Sequence, residues 1–153
     1  MSLFLVRHAE AGKRSRWEGP DDLRPLTGRG RAQAEAVADG LCGEPIEHIV
    51  SSAYVRCRQS VEPLAETLRL PVELSDALAE GASAVEALRL AEKFGDHDVV
   101  LCTHGDVLAA LLDPLVTIGV DLGPEPRSEK ASTWVIDVHD GELGGARYLP
   151  PPI

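Results

Sequence analysis

Two short, unbroken apolar runs constrain this chain more than any other feature: LFLV at residues 3–6 and VVLC at residues 99–102. Each is too short for a helix, and neither alternates with polar residues. Both therefore read as strands buried on their two faces. Such strands belong to sheets covered by helices on both sides, so helices are expected in the stretches between them.

Those stretches fit. Thr27 is placed to cap a helix over residues 28–41, where Ala34, Val37, Ala38 and Leu41 share a face and Gly43 and Pro45 mark the stop. Ile46–Ser52 reads as a second strand. A helix follows from Tyr54 to Leu70, with Pro63 bending or breaking it. PVELSDAL (71–78) reads as a weaker third strand. Ser83 then caps a helix reaching Phe94, stopped by Gly95. DVVLCTH (98–104) leads into the helix DVLAALLDPLVTIG. STWVIDVHDGELGGARYL reads as a hairpin turning at Asp140-Gly141. The pattern predicts an α/β fold, a three-layer α/β/α sandwich whose mainly parallel sheet has an antiparallel edge, in a single domain over residues 1–153. Residues 9–26 are left as a long polar loop, and loops of that length in compact domains are commonly functional.

Charge narrows the partners. The 153 residues carry a formal net charge of −10, which argues against a nucleic-acid polymer or an anionic membrane as partner. Residues 1–31 depart from this, with seven Lys/Arg against four acids, a net +3 in an otherwise acidic chain. That asymmetry points to a local anion site. Cys42, Cys57 and Cys102 lack CxxC spacing and read as reduced thiols, and no window resembles a leader or membrane span. A cytoplasmic protein is expected, with its oligomeric state open.

Ligands of open parallel sheets bind outside the carboxyl ends of the strands. Reading those ends gives Arg7-His8, then Ser51-Ser52 with Arg56 one turn on, then Glu80, then Thr103-His104-Gly105. Two guanidiniums match phosphoryl oxygens bidentately. A neutral imidazole can attack phosphorus, a second can stabilise the charge that develops, and a carboxylic acid can protonate the leaving oxygen. Lys13, Arg14, Arg16 and Trp17, with Arg24 beyond them, could rim the site for a more highly charged or stacking substrate, or form a solvated loop. His48, His97 and His139 are assigned to structure or surface. Three alternatives stay open. His8, Glu80, His104 and Asp106 are hydrolase-type metal ligands, although two nearby Arg would repel a dication. GRGRAQ begins like a dinucleotide fingerprint but lacks its third Gly and a preceding strand. A non-catalytic phosphate-binding domain would use the same cations.

Taken together, LVRHAEAG, RPLTGRGRAQAEAVADGL, SSAYVRCRQSVEPLA, LAEG and VVLCTHGDVL resemble, in order, the motifs of the histidine phosphatase (phosphoglycerate mutase-like) superfamily. The small size is similar to the short phosphohistidine phosphatase branch and to histidine phosphatase domains attached to Nudix hydrolases. The resemblance implies that His8 is the phosphorylated nucleophile, that Arg7, Arg56 and His104 form the phosphate pocket, and that Glu80 donates the proton. It implies no metal or cofactor. The substrate would be a phosphorylated small molecule or a phosphoprotein, hydrolysed as a phosphomonoester or phosphohistidine, with mutase-type phosphoryl transfer as the alternative. Ala9, Ala53 and Ser60 stand where the pattern usually has Gly, Pro and Thr.

Overall fold

The computed structural model describes residues 1–124, 126–140 and 142–153, the side chain of Leu143 apart. Its elements run β1 (Ser2–Arg7), α1 (Gly28–Leu41), β2 (His48–Ser51), α2 (Val55–Leu68), β3 (Val72–Leu74), α3 (Ala84–Lys93), β4 (Val99–Thr103), α4 (Gly105–Thr117), β5 (Thr133–His139) and β6 (Glu142–Leu149). Among the described residues the strands form one sheet in the order β3-β2-β4-β1-β5-β6. The first four strands are parallel, and the β5–β6 hairpin adds the antiparallel edge.

The apolar runs explain the layers. Along β1 and β4, Phe4, Val6, Val100 and Cys102 point to the face covered by α1 and α2, while Leu5, Val99 and Leu101 point to the face covered by α3 and α4. Every residue of β4 is buried, as its unbroken apolar pattern requires. This is the expected three-layer sandwich. Thr27 caps α1 by accepting from the Gly30 N–H at 3.0 Å, and Ser83 caps α3 by accepting from the Glu86 N–H at 3.2 Å.

Two expectations are corrected, and the long loop gains internal turns. The third strand covers only residues 72–74; a 3-10 turn over Asp76–Leu78 follows, so Leu78 reaches the core from a turn and not from a strand. Pro63 neither breaks nor ends α2, which runs through it from Val55 to Leu68 with Pro63 on a half-exposed side. The 9–26 loop is not featureless. It contains 3-10 turns at Arg14–Arg16 and Asp21–Leu23, and its ends are tied by a bridge between Ala11 and Leu26. At the hairpin, Asp140 takes a positive φ of 51°, and Gly141 lies outside the described residues.

Candidate active site

α1 and α2 hold the segment that follows β1. Thr27 donates its N–H to the Glu10 carbonyl at 3.0 Å, and Gln33 Oε1 accepts the Glu10 N–H at 2.9 Å. Between them, Gly30 packs so tightly that a Cβ would lie 1.9 Å from the Glu10 oxygen. From α2, Ser60 Oγ accepts the Ala9 N–H at 2.8 Å and donates to the Arg56 carbonyl at 2.6 Å, while Gln59 Oε1 accepts the Leu26 N–H at 2.8 Å. Ser60 needs only its hydroxyl for this task. Ala9 is not among the positive-φ residues, so glycine's freedom is not required there.

His8 follows β1 and is 5 % exposed. Its Nδ1 lies 2.8 Å from the Ala9 carbonyl, an acceptor, so Nδ1 carries the proton and Nε2 keeps a lone pair. Burial, then the charges of His104, Arg56 and Arg7, push the imidazole pKa down to about 3, with the Ala9 bond opposing. The ring is therefore neutral at physiological pH.

His104 ends β4 and caps α4, its ring edge-on to His8 at 5.4 Å and to Tyr54 at 4.6 Å. Ser52 Oγ accepts the Tyr54 N–H at 3.3 Å and sits 3.0 Å from His104 Nε2. Cys57 Sγ lies 3.5 Å from the same nitrogen, so Nε2 is held by two protein groups. His104 Nδ1 is buried without a protein partner, as is Nε of Arg7. The Arg7 Nε–H is a donor that an anion would satisfy, and His104 Nδ1 offers a second one in the tautomer protonated there.

Arg7 is fixed through Nη1, which donates to the Ser128 carbonyl at 2.7 Å. Its guanidinium lies where Gly105 leaves room; a Cβ at 105 would come within 3.0–3.2 Å of it. Arg56, 1 % exposed, stacks over Tyr54 at 4.8 Å. It donates to the Asp21 carbonyl at 2.9 Å, to Asp21 Oδ2 at 3.0 Å and to Glu80 Oε2 at 3.2 Å. Asp21 thus gathers arginines, since Arg24 and Arg14 also pair with it at 3.0 and 3.4 Å. Side-chain hydrogen bonds from Arg24 and Arg56, with the charges of Arg56 and Arg14, outweigh burial and hold the Asp21 carboxyl down at about 2. Glu80 arrives on the turn after Leu78 and pairs with Arg14 at 2.8 Å as well as with Arg56. Its loop is pinned where Asp106 Oδ2 accepts the Gly81 N–H at 2.8 Å.

These groups line one cavity of about 490 Å³ that contains Arg7, His8, Lys13, Arg14, Arg24, Arg56, Glu80, His104 and Asp106. Of the strand-end residues singled out in the sequence, Arg7, His8, Arg56, Glu80, His104 and Gly105 line it, whereas Ser51, Ser52 and Thr103 do not. Of the rim residues, Lys13 and Arg14 line this cavity, whereas Arg16 and Trp17 line an adjoining hollow of about 400 Å³ that shares Gly12, Lys13 and Arg24 with it. The four residues weighed as metal ligands do not form a tight donor set. Among the described residues that distinction belongs to Glu47, His48 and His97, at the opposite end of the sheet, where two histidines assigned to the surface come together. No helix among the described residues is long and apolar enough to cross a membrane.

Sequence reasoning missed Asp21, Ser52 as the partner of His104, and Lys130. Lys130 reaches the cavity from the segment before β5, next to Ala131. Ala131 holds a left-handed φ of 66°, which costs roughly 1–2 kcal/mol for a residue with a Cβ. Its N–H bonds the Arg7 and His8 carbonyls, both at 3.1 Å, and these contacts hold the turn. Only an adjacent apolar strand start marks this segment in the sequence.

Comparison with known proteins agrees with the geometry. Over 156 aligned residues, 99% of this chain, it is 38% identical to an 8-oxo-(d)GTP phosphatase of Mycolicibacterium smegmatis, of which 48% is covered. Over 73 aligned residues it is 32% identical to phosphohistidine phosphatase SixA of Escherichia coli, with 46% of this chain and 44% of that one covered. The chain spans about half the length of these curated relatives. Among solved structures, protein histidine phosphatase SixA complexed with tungstate superposes with a TM-score of 0.76 at 20% identity, covering 97% of this chain and 94% of that one. The mycobacterial glucosyl-3-phosphoglycerate phosphatase with VO3 superposes with a TM-score of 0.76 at 22% identity, covering 96% of each. At those identities the superpositions show the fold, which is the phosphoglycerate mutase-like one. Residues 3–92 match the family itself, and with it the chain belongs to the histidine phosphatase superfamily (branch 1).

Proposed function

We propose that this chain, as a single histidine phosphatase domain over residues 1–153, is a metal-independent phosphatase acting through a phosphohistidine intermediate on His8. The observation that carries the reading is the His8 imidazole, buried, neutral and bonded through Nδ1 to a carbonyl, in a cavity it shares with four arginines and with His104, whose Nδ1 has no protein partner.

In the first step, His8 Nε2 attacks phosphorus. The N–P bond forms while the P–O bond to the leaving group breaks, and its electron pair departs on that oxygen. Arg7, Arg56 and His104 hold the three equatorial oxygens, supplying the charge stabilisation that a dication would otherwise give. Arriving phosphate competes with Asp21 and Glu80 for the Arg56 fork. Glu80, displaced from that contact, takes up the proton of the incoming phosphate monoanion and passes it to the leaving oxygen of an alkyl ester. An imidazole leaving from phosphohistidine needs less such help. Water then attacks phosphorus, the N–P pair returns to Nε2, and Glu80 takes the proton. The substrate is a phosphorylated small molecule or a protein phosphate. The Mycolicibacterium smegmatis relative, about twice as long, supports a nucleotide as the small molecule and leaves room for a second unit such as a Nudix hydrolase.

The test is a trapping experiment. After brief incubation with p-nitrophenyl phosphate, mass spectrometry without acid should find one acid-labile phosphate on the peptide containing His8, and His8→Ala should show neither label nor turnover. Label on a serine or cysteine, or turnover by His8→Ala, would overturn the assignment.

A further inference from the structure

The cavity holds more cation than one phosphoryl group uses. Six cationic side chains line it, Arg7, Lys13, Arg14, Arg24, Arg56 and Lys130, against Glu80 and Asp106. Arg7 and Arg56 serve the transferring group under the proposed function, and Arg14 pairs with Glu80. Lys13, Arg24 and Lys130 remain. Arg24 is only 7 % exposed, and Asp21 and the Gly12 carbonyl fix it through Nε and Nη1. The cavity volume, about 490 Å³, falls in the ~300–1,000 Å³ range of small-molecule pockets and exceeds the needs of one phosphate.

Lys130 is the least expected member. It is exposed by area and stands at the cavity mouth, where the left-handed turn at Ala131 places it. The carbonyls that secure this turn belong to Arg7 and His8, so its position is referenced to the nucleophile itself. Partial burial, then Arg7, Arg24 and Arg56, lower its pKa, and Glu10 opposes them. An ammonium kept among three guanidiniums is unfavourable until an anion joins it.

We propose that Lys130, Arg24 and Lys13 form a second anion subsite beside the phosphate pocket, and that it takes the penultimate phosphate of a phosphoanhydride. This deepens the proposed function and rests on it for the identity of the first pocket. In such a substrate His8 Nε2 bonds the terminal phosphorus, the bridging P–O bond breaks, and its electron pair leaves on the second phosphate. Arg24 and Lys130 already neutralise that phosphate. A phosphate is a weakly basic leaving group, so it departs without a proton from Glu80.

Calorimetric titration of the native protein with imidodiphosphate and with orthophosphate tests this without turnover. Imidodiphosphate should bind at least about tenfold more tightly, since each charge-assisted contact adds to the whole. In Lys130→Met the preference should fall to within about threefold, and Lys130→Arg should restore it, because charge is what the subsite supplies. Circular dichroism confirms that these mouth variants fold. A preference that is absent from the native protein, or that survives Lys130→Met, overturns the second subsite while orthophosphate binding leaves the first pocket standing. Failure of orthophosphate itself to bind would remove both.

Discussion

At the scale of single residues, the decisive feature is an imidazole kept neutral by its surroundings. His8 has an ordinary pKa of 6.5 when unfolded and about 3 when folded. Between those values the unfolded chain binds a proton that the folded chain refuses. Stability from this group is therefore fully present above 6.5 and is lost progressively as pH falls towards 3. Under the proposed function, the same shift keeps His8 competent to attack in mildly acidic solution. The His8 ring resonances, followed by NMR across that window, should stay in the neutral form through pH 5 and show no midpoint near 6.5. A midpoint near 6.5 would mean that burial and the neighbouring cations do not control the ring.

At the scale of elements, the first turn of α1 acts as a clamp on the backbone just past His8. Gly30 meets the Glu10 carbonyl, a backbone atom that cannot swing aside, whereas a Cβ at Gly28 would meet nothing within 4 Å. Gly30→Ala should cost about 1–3 kcal/mol by overpacking and should also slow turnover by shifting His8. Gly28→Ala should change stability by no more than about 0.5 kcal/mol. Urea unfolding of the two variants checks this, and equal effects would refute the clamp. The contrast also shows what a sequence can carry. Thr27, Gly30 and Gln33 stood in a recognisable motif, and the strand ends were legible because apolar runs stop abruptly at charges. β3 was overdrawn because Leu78 continues its apolar pattern from a turn. Asp21 and Lys130 were hidden because their places depend on tertiary contacts. One acts through arginines from three segments, the other through a left-handed turn that antiparallel pairing brings back to β1.

At the scale of the whole molecule, local charge opposes the total. The chain carries −10 overall, yet the candidate cavity is crowded with cations. If net charge governed encounter, salt would screen repulsion and raise kcat/KM for an anionic substrate. Local focusing predicts the reverse. Raising ionic strength from about 0.01 to 0.1 M shortens the screening length from about 30 to 10 Å and should lower kcat/KM severalfold. An increase would show that the acidic exterior dominates.

The central position of β1 has a consequence for the order in which the protein acquires its reactivity. Leu3 pairs with Val99 on one side and with Ile136 on the other, so β1 is flanked by two strands that come about a hundred residues later. Contacts so distant in sequence close slowly, and during synthesis they must wait for the chain to lengthen. Until β4 and β5 emerge, His8 has neither its buried setting nor His104 beside it, and its imidazole titrates like any other in water. A growing chain therefore carries the proposed nucleophile long before it can use it. Chemical competence arrives in one late step, together with the closing of the sheet.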